Sequence, residues 1–204
     1  MASEGRADRL IPHALYHVNS KGEIQSEIPF PPELLVHKKR FGAEGITLID
    51  GVLWVAIQRQ WLDDPENTVK LLSYDLESKE WGAVRYPTEN SESGWVGLSE
   101  IVAHGEHVYI IERDNQIGEK AKIKRLYRVN KNQLNSAKLG SELPLVEKEF
   151  VRDLIPDLAQ YNGYIVDKVE GLAIDQQGKA IIVTDNDGVD DSSGETFFFN
   201  VDLK

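Results

Sequence analysis

Between Lys168 and Gly188 the chain reads KVEGLAIDQQGKAIIVTDNDG, and its acids are spaced for chemistry. Leu172–Asp175 and Ala180–Thr184 read as two short strands joined by Gln176-Gln177-Gly178, where a glycine can take positive φ. In an antiparallel hairpin the start of one strand lies beside the end of the next. Glu170 is therefore expected to meet Asp185 and Asp187 at one edge. Such a cluster needs a cation or a retained proton to be tolerable. Two more stretches carry the same arrangement. Glu44 opens EGITLIDGVLWVAIQRQW, which ends at Gln58-Arg59-Gln60, and Glu100 lies in GLSEIVAHGEHVYIIERDNQ, which ends at Glu112-Arg113-Asp114.

If the three stretches are equivalent, Glu44, Glu100, Glu112, Asp114, Glu170, Asp185 and Asp187 converge on one rim, and Asn186 can add a neutral carbonyl oxygen. Oxygen ligands without cysteine and with few histidines select calcium or magnesium over zinc. A bound calcium polarises a phosphoryl oxygen and lowers the pKa of a bound water, which is metal-assisted hydrolysis. Arg59, Arg113 and Lys168 hold neighbouring positions, and a guanidinium fork matches phosphate geometry. On this reading Glu44, Glu112, Asp114 and Glu170 are the candidate catalytic carboxylates, and the three basic residues bind substrate. Plainer readings stand beside it. Glu44 and Glu170 can bond turn amides, Glu112-Arg113-Asp114 can be an internal ion-pair set, and Asp185–Gly188 can be an Asx-rich turn. The five histidines lack metal-ligand spacing.

The elements that position these residues read as β-structure throughout. A hairpin is expected over Ala14–Phe30, turning at Asn19–Gly22 and stopped by Pro31-Pro32, with one helical turn in Glu33–Arg40. Thr68–Pro87 forms a second hairpin, with its turn near Glu77-Ser78-Lys79. Ala121–Val129 and Leu143–Phe150 read as strands, Val151–Ala159 as a short helix, and Thr196–Leu203 as the closing strand. Gly51 and Gln58, Gly105 and Glu112, and Gly178 and Asp185 stand at one constant seven-residue offset, the mark of a repeated unit. Units of roughly 40–70 residues in four-stranded antiparallel meanders predict an all-β chain built as a β-propeller. One domain is expected over residues 12–204, behind a disordered start at residues 1–11. The strand count reaches less than four blades, which predicts an incomplete ring or a partial chain. The N-terminal hairpin or a homo-dimer could close it.

Charge and composition narrow the classes. Lys plus Arg number 23 against 34 Asp plus Glu, for a net charge of −11, which argues against non-specific nucleic-acid binding, since that needs a basic face. The absence of cysteine excludes disulfides, thiolate metal sites and cysteine nucleophiles. No apolar run has the length of a membrane span, and MASEGRADRL has no apolar signal-peptide region.

The motif order resembles the phytase-like family, described by its esterase-like activity of phytase. IPFPPELL, then GAEGIT with DGVLWVAIQ, then LSEI with IERDN, then KVEGLAID with VTDNDG carry the resemblance, from about Ala14 onward. The match looks like the C-terminal half of family members. The resemblance implies a propeller, usually bacterial and often exported, hence periplasmic or secreted, with the cytoplasm left open by the missing leader. It also implies calcium-dependent hydrolysis of phosphoesters on a small anionic substrate. Gln58-Arg59-Gln60 departs from the pattern, because the corresponding position is acidic elsewhere. Two other functions compete. A calcium-dependent lactonase or carboxylic esterase is favoured by an acidic and apolar rim. A non-catalytic binding module is favoured by acids already paired to lysines and arginines.

Overall fold

The computed structural model describes residues 1–5, 11–38, 41–186 and 196–203. The described chain is all-β and falls into two compact units. The first comprises Met1–Pro87 and Leu134–Val146, and the second Thr88–Gln133 and Glu147–Lys204. Among the described residues, no helix is long and apolar enough to cross a membrane.

The first unit holds two antiparallel sheets. β1 (Ala2–Ser3), β2 (Ala14–Val18) and β3 (Ile24–Pro29) form one, in that order. β1 is a departure from the expected disordered start: Ala2 and Ser3 pair with Leu15 and Ala14. The second sheet runs β11-β7-β6-β5-β4, from β4 (Ala43–Ile49), β5 (Val52–Ile57), β6 (Thr68–Asp75), β7 (Trp81–Pro87) and β11 (Ala137–Lys138). Asp50 (φ 47) and Gly51 (φ 84) make the two-residue turn between β4 and β5. Positive φ at both central positions suits the twist of a tight hairpin, and Gly51 takes it without a Cβ penalty. β6 is buried along almost its whole length, as a central strand covered on both faces must be. Pro31 and Pro32 end β3 and start the short helix α1 (Pro32–Leu35). Leu15, Phe30, Leu34, Val55, Ile57, Trp61 and Leu72 form this unit's core.

The second unit repeats the design. β8 (Val96–His104), β9 (His107–Asp114), β10 (Lys124–Asn130) and β12 (Glu149–Asp153) pair in the order β12-β10-β9-β8. β13 (Lys168–Ile174), β14 (Lys179–Asp185) and β15 (Phe198–Asp202) form a three-stranded sheet. Between β10 and β12 the chain leaves this unit to place β11 on β7. The strand expected over Leu143–Phe150 is displaced to β12. Pro144 has no amide hydrogen for a ladder, and only its carbonyl is used, by the Arg85 N–H. The helix also lies later than expected, as α2 (Ile155–Asn162), because Pro156 suits a first turn, and Asp153 Oδ1 accepts the Ile155 N–H just before it. Ile111, Leu126, Leu154, Leu158, Val169 and Ile182 are the centre of its core.

The expected hairpins are present, and they share a feature that composition does not reveal. Each first strand carries a bulge opposite the polar end of the second. In β4 the ladder passes from Ala43–Ile57 to Ile46–Val55, so Glu44 and Gly45 lie in the bulge. In β8 it passes from Leu98–Glu112 to Glu100–Ile111, skipping Ser99. In β13 it passes from Val169–Thr184 to Gly171–Val183, skipping Glu170. A bulge re-aims the side chains beside it, so the same device acts on Glu44, Glu100 and Glu170.

Candidate functional site

Strand alternation separates the Glu112-Arg113-Asp114 triplet at the end of β9. Arg113 is 2% exposed and faces the β13 side. Its Nε donates to Ser99 Oγ at 2.9 Å, its Nη1 to Asp167 at 3.2 Å and its Nη2 to Glu170 Oε1 at 2.5 Å. The Trp95 ring lies 5.4 Å from the guanidinium carbon. The β8 bulge supplies Ser99 and the β13 bulge supplies Glu170, so the two irregularities assemble one cluster.

Glu100 is the partly buried carboxyl next to that cluster. Its Oε1 accepts the Ile101 N–H at 2.9 Å. Burial drives its pKa up to about 7, the Ile101 N–H pulls it back, and the negative charge of Glu170 pushes it up further. Glu170 itself has a guanidinium partner. Of these two neighbouring carboxyls, Glu170 is ion-paired to Arg113, and Glu100 is set by burial.

Lys124, at the start of β10, lies under the same region and is wholly buried. It is 3.0 Å from Asp114 Oδ1 and donates to the carbonyls of Asp114 (2.7 Å), Gln116 (3.0 Å) and Asp167 (2.7 Å). Burial lowers its pKa, against the opposing pull of Asp114 and Asp167. Asp114 also accepts the backbone N–H groups of Lys122 at 2.7 Å and Ile123 at 2.9 Å. It is a fully engaged structural carboxylate.

Glu112 points to the other face of β9 and is 0% exposed. It accepts from Lys148 Nζ at 2.7 Å and from the Glu89 N–H. Tyr127 donates to Glu89 at 2.5 Å, and Lys148 lies 4.1 Å from the Tyr127 ring centre. Burial and then Glu89 push the Tyr127 phenol well above its ordinary range. The bonds named for this second network involve other residues than those named for the Arg113 cluster.

Glu44 is in the first unit. Its Oε1 accepts from Gln58 Nε2 at 2.6 Å. The Arg59 guanidinium stacks 4.5 Å from the Phe41 ring centre, and burial lowers its pKa. Lys168 and Asp185 face each other as ladder partners, not Glu170 and Asp185, since the bulge removes Glu170 from the ladder. Asn186 follows directly, and Asp187 lies outside the described residues.

The second unit therefore gathers Glu100, Arg113 and Glu170, and turns Glu112 away from them. Sequence reasoning missed Ser99, Asp167, Lys124 and Lys148. Lys124 shares the alternation of the buried Leu126, and a lysine at such an inward position could have flagged a buried counter-ion. Among the described residues, no group of three or more His, Asp or Glu side chains is placed to hold a metal ion. Glu112, Asp114 and Glu170 already have Lys148, Lys124 and Arg113 as counter-charges. The described donor set does not by itself fit calcium.

A family model described as phytase-like, with esterase-like activity of phytase, matches residues 1–188. The match reaches ahead of the Ala14 start read from the motifs and ends at residue 188. No curated protein matches the chain.

Proposed function

The chain belongs to the phytase-like family, and from that premise we propose that it is an ester hydrolase working at Glu100, Glu170 and Arg113. The family supports a hydrolase-type function. The observation that carries the reading further is Glu100, a partly buried carboxyl with a pKa of about 7 beside an ion-paired neighbour. A group that is half protonated near neutral pH can give a proton to a leaving oxygen or take one from water. Arg113 holds the Glu170 side chain in place, and Ser99 and Asp167 hold Arg113. Such bracing keeps a proton-transfer group in place during reaction. Phosphoesters are the first substrate class proposed, by kinship. Neutral esters and lactones are the second, favoured because the donors of Arg113 and Lys124 are engaged by protein acceptors. Calcium stays part of the proposal only as an ion whose remaining ligands lie outside the described set, and no step is routed through it. The bulged meanders are proposed to be blades of a propeller; their sequential antiparallel order supports this.

The test is a substrate panel. p-Nitrophenyl phosphate, bis-p-nitrophenyl phosphate and p-nitrophenyl acetate are assayed with wild type and Glu100→Gln, in calcium and in EDTA. Turnover of at least one ester, lost in Glu100→Gln, is expected. Equal turnover by both proteins removes Glu100 from the chemistry. No turnover of any ester favours the binding-module reading.

A further inference from the structure

His13, in the first unit, is the buried one of the five histidines, at 5% exposed. Its ring stacks on Phe30 with centroids 6.0 Å apart and meets Trp61 edge-on, also at 6.0 Å. Two glycines close the seat. A Cβ at Gly5 would collide with His13 Cδ2, and one at Gly42 would collide with the Glu4 carbonyl oxygen and lie 2.6 Å from Nδ1. The backbone therefore packs directly on the imidazole at both places. Nδ1 is buried without a hydrogen-bond partner among the described residues.

The charges around the seat do not offer a counter-ion. α1 leads into Lys38, whose positive charge adds to burial in lowering the His13 pKa. The Trp61 N–H bonds Asp64 at 2.8 Å, but Asp64 is held by Lys70 and Arg85, and Asp63 by Lys70. On β4 and β5, Glu44 accepts from Gln58, and Arg59 lies over Phe41. Glu4 after β1, His17 on β2 and Glu27 on β3 are exposed, and the Met1 amine bonds the Tyr16 carbonyl at 2.9 Å. A neutral imidazole has one N–H and an imidazolium has two. Protonation in this seat would bury a charge and a second N–H without an acceptor, which an apolar surrounding resists.

The N-terminal wall of the seat has the least to lose by opening. Gly42 is tied to the end of the β4–β5 ladder, where its carbonyl accepts the Gln58 N–H at 2.9 Å. Glu4 and Gly5 follow β1, an edge strand of two residues paired with Leu15 and Ala14. Beside that pairing stand the Met1–Tyr16 bonds and the Ser3 hydroxyl, which donates to the Pro12 carbonyl at 2.9 Å. We propose that His13 is an acid-sensitive latch, whose protonation frees Met1–Gly5 from β2 and lets water reach the ring. The closed seat binds the proton less tightly than the open one, so closure is favoured at higher pH and weakens as pH falls below the ordinary histidine value of 6.5. One proton lowers the closed-to-open ratio by up to about tenfold per pH unit.

The test is NMR on the whole protein between about pH 8 and about pH 5, following the His13 ring and amide exchange corrected for its intrinsic pH dependence. The Tyr16 amide reports the latch, because its acceptor is the Met1 carbonyl at 2.8 Å, and the Gln58 amide on Gly42 is the reference. Tyr16 protection is expected to fall in acid by up to about tenfold per pH unit while Gln58 protection holds. His13→Phe is expected to make Tyr16 protection independent of pH. Should His13→Phe fail to fold, Lys38→Met decides: it removes the charge that opposes an imidazolium and is expected to shrink the acid loss. Glu100→Gln is expected to respond as wild type does, so the latch and the hydrolase reading fail separately. A His13 that titrates at or above 6.5 in wild type overturns the latch. So does Tyr16 protection that ignores pH, an equal loss at Gln58, or an undiminished acid loss in His13→Phe or Lys38→Met.

Discussion

The bulges of β4 and β13 are the same device with different partners. In the first unit Glu44 leaves the ladder and meets the neutral amide of Gln58. In the second unit Glu170 leaves the ladder and meets the guanidinium of Arg113, while Glu100 follows the bulge of β8. One repeat therefore holds a single carboxylate by a hydrogen bond. The other holds two neighbouring carboxyls, one neutralised and one left to burial. The contrast shows that a shared backbone irregularity sets where an acid points, and the partner supplied by the next strand sets what it can do. Gln58 is the residue at which the first repeat departs from the acidic pattern, and its Oε1 is buried without a partner among the described residues.

The largest effect is expected where the two repeats differ most. Glu100→Gln should lower ester hydrolysis on the order of 10²–10⁴-fold, the usual worth of a proton-transfer group, with the fold intact by circular dichroism. Glu44→Gln should change it little. Equal losses from the two substitutions would erase the distinction between the repeats.

The buried lysines sharpen the same comparison in stability. Lys70 in β6 bonds Asp63 at 2.6 Å and Asp64 at 2.7 Å, and Lys124 in β10 bonds Asp114 at 3.0 Å. Lys124→Met removes the counter-charge of the buried Asp114 and should cost about 3–5 kcal/mol in denaturant melts, whereas Asp64 keeps Arg85 after Lys70→Met, which should cost less. Lys124→Met should also disturb the Arg113 cluster through Asp167 and reduce activity. Lys70→Met should reduce stability without a specific loss of activity.

Glu170→Gln removes the charged partner of Arg113 Nη2. With the Glu170 side chain 24% exposed, the expected cost is smaller, about 1–2 kcal/mol in EDTA. The stabilisation by calcium, if any, should be the same in variant and wild type. A calcium response that disappears in Glu170→Gln would instead make Glu170 a ligand, as the sequence suggests.

Much of this contrast is legible in the sequence, and its decisive part is not. The turns at Gly51, Gly105 and Gly178 and the hairpins around them follow from glycine placement and alternating apolar residues. The acids beside them stand out by spacing. The bulges leave no such trace, because one extra residue changes neither composition nor period by much. Without the bulge, the register set at Lys168–Asp185 would put Glu170 opposite Val183 in the ladder; with it, Glu170 turns to Arg113. The counter-ions are equally hidden, since Arg113 finds Asp167 and Glu170 at sequence separations of 54 and 57 residues. Lys148 reaches Glu112 only after the chain has left the unit and returned.

A smaller effect concerns pH and stability. Glu100 binds its proton more tightly in the folded protein, with a pKa of about 7 against an ordinary 4.5. Its protonated form therefore favours folding, fully below about pH 4.5, and that contribution is lost as pH rises through 7. After allowance for solvent screening the loss is about 1–2 kcal/mol. Melting curves across this window should show the slope in wild type and a flatter line in Glu100→Gln, with Glu44→Gln like wild type.

The most direct measurement is the pH dependence of kcat/KM on whichever ester the protein turns over, compared between wild type and Glu100→Gln. Wild type should show an inflection near pH 7, the value to which burial raises Glu100, and Glu100→Gln should be slow with that inflection gone. An unchanged rate and an unchanged inflection in Glu100→Gln would contradict the assignment of the site.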